Sequence, residues 1–187
     1  MFSKVSLSTG HSTISRGAKA VNGHDEYLFN LDLVNEILKF NLPDAEWYRS
    51  DYNCDEMEYP EHLTTTVKNV NESGSVCALE IHHNWIHQPT AHGMELIYWD
   101  TSDCGLLLAR WIGEEFEKIN DKVVVYPNLG RLGKKNKKYF LWATKCPAVI
   151  VEAGYLSNEK DIIWIQENRL QIAHAIRQGV VRWLREI

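Results

Sequence analysis

Two different spacings of apolar residues alternate along the chain. Six short segments have the alternating or continuously apolar pattern of β-strands, and they are residues 2–8, 46–50, 76–81, 94–99, 123–126 and 148–151. Four segments have the spacing of amphipathic helices, and they are residues 24–40, 60–72, 102–119 and the region after residue 157. Strands interleaved with helices predict an α/β layered fold, with helices on both faces of a twisted, mostly parallel or mixed sheet.

The helical spacing also predicts which side of each helix is buried. The residues on these faces are Tyr27, Leu31, Val34 and Leu38 in the first helix, and Ile172, Ile176, Val180, Trp183 and Ile187 in the last. Ser102 precedes the third helical pattern and is a favoured N-cap residue. No repeat or Pro/Gly-rich linker divides the chain, so we expect one catalytic domain over residues 1–187.

Composition narrows the classes of function. The 187 residues are 44% hydrophobic and carry a formal net charge of −5, so nucleic acid is not an expected partner and neither is stable membrane association. The four cysteines are far apart and form no C-x-x-C pair, which predicts reduced thiols. We find no signal peptide and no apolar run near the ~20 residues of a membrane span. The protein is therefore expected to be cytoplasmic as synthesised.

Polar residues suited to catalysis lie where the predicted strands end. His11 follows the first strand, His82 the third and Glu152 the sixth, while Glu26 opens the first helix. In open α/β sheets, ligands bind at the carboxyl ends of strands, so these groups should meet at one edge. Two histidines and a carboxylate form a common catalytic zinc set, and a second carboxylate can accept a proton from water. The spacing matches no short zinc motif, however, and each residue has a structural alternative.

A more specific signal comes from six sequence blocks. They are TGHS at residues 9–12, GA at 17–18, E-x-x-x-N at 26–30, EIHHN at 80–84, GMELIY at 93–98 and PAVIVEAGYLSN at 147–158. In this order the blocks resemble the zinc-dependent N-acetylmuramoyl-L-alanine amidases of the amidase-3 class, which includes many phage endolysins. The last block is the most specific. Glu80 departs from the family, which has a serine there, and adds a carboxyl group near the implied metal.

The resemblance implies a zinc ion on His11, Glu26 and His82, at the carboxyl ends of strands, with Glu152 as the catalytic carboxylate. The substrate would be peptidoglycan, cut at the amide that joins N-acetylmuramic acid to L-alanine. A zinc peptidase or other amide hydrolase on the same fold is one alternative, and a catalytically inactive wall-binding module is another. No obligate protein partner is indicated. We expect action on the cell wall after release, for example by a holin.

Several residues near these blocks have two interpretations. The substrate-binding candidates are Asn84, His92 and Glu95, although Asn84 could instead orient a metal ligand and Glu95 could pair with a charge. His83 should point to the sheet face opposite its neighbour, which argues against a ligand role. His87 should lie in a solvated loop.

Two further features have open interpretations. Trp85 is the aromatic residue best placed to stack on a sugar, because it directly follows the EIHHN block. The basic segment 130–138 is either a solvated loop or a clamp for carboxylates of the wall peptide.

Overall fold

A six-stranded mixed sheet runs through the protein. We describe it from a computed structural model that covers residues 2–128 and 138–187. The strands are β1 (Ser3–Thr9), β2 (Ala45–Arg49), β3 (Cys77–Asn84), β4 (Met94–Trp99), β5 (Val123–Asn128) and β6 (Ala148–Tyr155), in the spatial order β2-β1-β3-β6-β4-β5. Strand β4 runs antiparallel to β6, and the other neighbouring pairs are parallel. The predicted mixed α/β sheet is therefore confirmed.

Helices cover both faces of this sheet, as predicted. They are α1 (Glu26–Ile37), α2 (Glu61–Ser73), α3 (Asp103–Phe116), α4 (Tyr139–Ala143) and α5 (Glu159–Leu184). The larger core joins α1, α3 and α5 to one face, where Ile112 and Ile176 pack with Leu79. The smaller core joins α2 and α4 to the other face, where Val67 packs with Ile150. Among the described residues, no helix combines the length and apolarity needed to cross a membrane.

The helix ends show where the sequence prediction holds and where it is wrong. The Ser102 hydroxyl accepts a hydrogen bond from the Gly105 N–H, which confirms the predicted cap of α3. Helix α1 ends at Ile37, and its C-cap residue Leu38 is exposed. Ile187 lies beyond the end of α5 and is likewise exposed. Both residues were predicted to lie on a buried helix face, and in the structure both are exposed at or beyond a helix end.

The strand register places polar side chains of three strands side by side. His82 on β3 is opposite Glu152 on β6, and Glu152 is opposite Glu95 on β4. Residues that pair directly across strands project from the same face, which here is the face covered by α2 and α4. Strand β3 extends to Asn84, three residues beyond its predicted end, so His82 lies within the strand.

Candidate metal centre

Three side chains from three different elements meet at the carboxyl ends of β1 and β3. His11 follows β1, Glu26 opens α1 and His82 lies on β3. One donor atom from each lies within 4.8 Å of the other two. His11 Nε2 is 3.1 Å from Glu26 Oε2, and His82 Nδ1 is 2.9 Å from Glu26 Oε1. The fold thus brings together the three residues implied as metal ligands.

The donor set fits zinc in chemistry and in spacing. Imidazole nitrogens and carboxylate oxygens are common zinc donors, and donors that share a tetrahedral zinc at ~2.0–2.1 Å lie roughly 3.3 Å apart. Burial alone would raise the pKa of Glu26, but its contacts with His11 and His82 lower that pKa well below the usual range. Burial alone would lower the pKa of His82, whereas Glu26 and Glu80 raise it to about 10. The carboxylates of the pocket therefore stabilise positive charge at this position, as a cation site requires.

Two glycines make room for the two imidazole rings. A Cβ atom on Gly10 would lie 2.3 Å from ring atoms of His82, and one on Gly17 would lie 2.5 Å from the His11 ring. Gly17 also has a φ of +75°, which favours glycine. His11 itself has a φ of 72°, which is uncommon for a residue with a side chain. The TGHS and GA blocks therefore encode a tight turn that lets both rings approach Glu26.

Behind the turn, a buried polar pair holds the backbone in place. The Asn30 amide donates to the Gly10 carbonyl at 2.9 Å, and Asn30 Oδ1 is 2.7 Å from His83 Nδ1. His83 is buried beside Phe29 of α1, on the face opposite His82, as predicted. Burial lowers the pKa of His83 to about 4, so the ring is neutral. His83 supports the turn and is not one of the converging donors.

Glu152 lies beside the candidate metal ligands. It is buried, and its Oε1 is 3.5 Å from Lys138 Nζ. Its Oε2 is also buried and has no hydrogen-bond partner among residues 2–128 and 138–187. Burial raises the pKa of Glu152, although the charges of His82 and Lys138 oppose that rise. A buried carboxyl group with an unpaired oxygen and a raised pKa is suited to proton transfer.

Glu95 lies next to Glu152 and is held by three donors. The Asn84 amide donates to Glu95 Oε2 at 3.1 Å, the Tyr126 hydroxyl donates to the same oxygen at 3.0 Å, and the Tyr155 hydroxyl donates to Oε1. Asn84 thus donates to Glu95, and the described partners of Glu95 are two hydroxyl groups and an amide. Sequence reasoning missed both tyrosines. Tyr155 at least lies in the PAVIVEAGYLSN block, whereas no sequence signal marks Tyr126.

The three proposed metal ligands and Glu152 open onto a cleft of about 570 Å³. Its lining residues include His11, Tyr59, His62, Glu80, His82, Asn84, Trp85, Lys138, Tyr139 and Glu152. Trp85 lines the cleft and is partly exposed, with its ring against the exposed His87. Of the basic segment, residues 130–137 lie outside the described part of the chain.

His92, one of the predicted substrate-binding candidates, does not line this cleft. His92 is exposed and lines a different depression, together with Asp161 and Trp164. The segment that contains His92 lies against the start of α5 because the neighbouring Gly93 N–H donates a hydrogen bond to Asp161.

Comparisons with known proteins agree with this architecture. The family model described as N-acetylmuramoyl-L-alanine amidase matches residues 5–182. An N-acetylmuramoyl-L-alanine amidase from Clostridium difficile 630 superposes with a TM-score of 0.82 at 21% identity, over 99% of this chain and 98% of that chain. The CwlD amidase from Clostridioides difficile, in complex with the GerS lipoprotein, gives a TM-score of 0.78 at 21% identity, over 98% of each chain.

A third solved structure is the catalytic domain of the CD27L endolysin, described as targeting Clostridia difficile. It gives a TM-score of 0.74 at 21% identity, over 96% of this chain and 97% of that chain. No curated protein sequence matches the chain. At these identities the structural likeness shows a shared fold.

Proposed function

Because the chain belongs to the N-acetylmuramoyl-L-alanine amidase family, we propose that it cleaves peptidoglycan with a zinc ion on His11, Glu26 and His82 and with Glu152 as the general base. The bond cut is the amide between N-acetylmuramic acid and the L-alanine of the stem peptide. One observation carries the proposal. Three converging donors lie beside a buried carboxyl group in one cleft.

The three proposed ligands together carry a single negative charge. His11 and His82 are neutral donors when they bind a metal, and Glu26 contributes one negative charge, so the occupied site would keep a net positive charge. When bound, a zinc ion polarises the scissile carbonyl and lowers the pKa of a water molecule toward ~7. The buried position of Glu26 and the turn at Gly10 hold these donors in place before any cation arrives.

Glu152 supplies the proton transfers. Its Oε2, which has no hydrogen-bond partner in the described part of the chain, accepts a proton from the attacking water and then passes that proton to the leaving amine of L-alanine. Its raised pKa brings the carboxylate closer to the working pH, which favours both steps. Lys138 stays on the other oxygen and limits the rise in pKa, so that the group remains a base.

The cleft has groups suited to a glycopeptide. Tyr59 and Trp85 expose aromatic surface that can pack against a sugar ring. Lys138 presents a cation that can meet a carboxylate of the stem peptide. We propose a lytic role on a bacterial wall, by analogy with the endolysin catalytic domain that shares this fold.

Digestion of purified peptidoglycan tests the proposal. The zinc-loaded chain alone should release stem peptides with a free L-alanine amine and leave the glycan intact, as read by mass spectrometry, and a chelator should abolish release. Products that keep the lactyl amide would indicate a peptidase. Binding to the wall without any release would indicate an inactive module. Activity of the isolated chain would also show that no protein partner is obligatory.

A further inference from the structure

Glu80 is a buried carboxylate that the proposed mechanism does not use. It lies on β3 two residues before His82, and the alternation of side chains along a strand places both on the same face. Glu80 Oε2 is 3.3 Å from His82 Nε2. Among residues 2–128 and 138–187, His82 is the only basic group within salt-bridge distance of Glu80. The carboxylate is therefore directed at one atom of the imidazole ring.

The two ring nitrogens of His82 have different neighbours. Nδ1 faces Glu26 Oε1 at 2.9 Å, on the side of the proposed metal donors. Nε2 points the other way, to Glu80. A neutral imidazole carries its proton on one nitrogen and a lone pair on the other, and an ionised carboxylate can only accept hydrogen bonds. Glu80 therefore favours the tautomer with the proton on Nε2, which leaves the Nδ1 lone pair for a metal.

We propose that Glu80 is a positioning residue for the metal ligand His82, which it holds in the Nε2–H tautomer and in a fixed ring orientation. The inference rests on the proposed metal site and deepens it. Gly10 packs against the ring, and Glu80 holds its outer edge. A carboxylate that accepts from the free nitrogen of a metal-bound histidine also raises the basicity of the donor nitrogen. The serine found at this position in the resembling family is a weaker acceptor.

Zinc affinity tests the proposal directly. The dissociation constant of zinc is measured by competition with a chromophoric chelator for wild type, Glu80→Leu and Glu80→Gln. Glu80→Leu removes the acceptor and should weaken zinc binding by about 10–100-fold. Glu80→Gln keeps an amide oxygen that accepts from Nε2–H, so it should recover most of the affinity. Zinc affinity of Glu80→Leu equal to that of wild type would overturn the proposal.

Glu115→Gln is the matched control. Glu115 is also a buried carboxylate, but it lies on α3 and pairs with Lys118 and Arg182. Its substitution should leave zinc affinity unchanged and alter only the melting temperature. An equal loss of zinc affinity in the control would mean that the Glu80 effect is a general response to a lost buried charge.

A second measurement does not depend on whether the Glu80 variants fold. Long-range ¹H–¹⁵N correlation spectra of the zinc-loaded wild type, with His82 assigned by a His82→Gln variant, should show a proton on Nε2 and none on Nδ1. A proton on Nδ1 would overturn the proposal. Failure of the wild type to bind zinc would reject the proposed metal site as well. Tight zinc binding with the opposite tautomer would reject only the role of Glu80.

Discussion

Among individual residues, Glu152 has an unusual set of neighbours. A cation lies at one carboxylate oxygen, and no described hydrogen-bond partner lies at the other. Glu95, which accepts hydrogen bonds from two tyrosine hydroxyls, lies opposite on the neighbouring strand β4. Burial raises the pKa of Glu152, His82 and Lys138 lower it, and Glu95 contributes to raising it. The protonation of this one group should therefore be sensitive to single substitutions around it.

The first prediction concerns Glu152 itself. Glu152→Gln keeps the shape of the side chain but removes the proton acceptor, so kcat should fall by about 10²–10⁴-fold. Zinc content, measured by atomic emission, and the melting temperature should stay close to those of wild type. Near-normal turnover of peptidoglycan by this variant would contradict the assignment of the base.

The second prediction concerns the pH profile. The charge of Lys138 lowers the pKa of Glu152, so Lys138→Met should raise that pKa. Because the base acts when deprotonated, the acid limb of the profile of log kcat/KM should move to higher pH. The shift should be small and should grow at low salt, since Lys138 is partly exposed.

Lys39→Met provides the control for this shift. Lys39 pairs with Glu36 at the surface of α1, and its removal should leave the acid limb in place. A shift of the Lys138→Met profile to lower pH would contradict the expected sign.

Among the helices and strands, the packing of α3 against α5 depends on one small residue. Gly179 of α5 lies so close to α3 that a Cβ atom there would be 2.5 Å from the Ile112 Cα atom. Backbone atoms cannot move aside as a flexible side chain can. The two helices must therefore separate if the glycine is replaced.

Gly179→Ala gives the third prediction. In an exposed helix, Gly→Ala stabilises by up to about 1 kcal/mol, but here the clash should reverse the sign and destabilise by about 1–3 kcal/mol. Chemical denaturation measures the free energy of unfolding. Glu167→Ala, at an exposed position of the same helix, should change it little. A more stable Gly179→Ala variant would contradict the close approach of the helices.

The sequence predicted the elements better than the contacts between them. All six strands were predicted, since even short segments show the alternating or continuously apolar pattern of a strand. Helix α4 was missed because its five residues are too few to show a helical period. The four site residues could be placed near one sheet edge by pattern, but their selection needed the family resemblance. The clash that makes Gly10 necessary and the pairing of Tyr126 with Glu95 depend on strand order, which the sequence pattern alone does not contain.

For the molecule as a whole, the proposed metal joins β1, α1 and β3, and it should stabilise the native state. A ligand at 100 times its dissociation constant adds about 2.7 kcal/mol, which corresponds to a rise in melting temperature of roughly 5–10 °C for a chain of this size. Scanning calorimetry with zinc and with a chelator measures the rise. His11→Gln should show little or none of it. The same rise in both proteins would place the stabilising zinc elsewhere.

The order of the site residues along the chain has a consequence for biosynthesis. All three proposed ligands are translated before residue 83, and β1, α1 and β3, which hold them, lie in the first half of the chain. Glu152 comes much later, on β6, and reaches the site only when β6 pairs with β3. A nascent chain therefore contains every group needed to hold the metal well before it contains the group that accepts the proton. Hydrolytic activity can therefore begin only after β6 has been translated and has paired with β3.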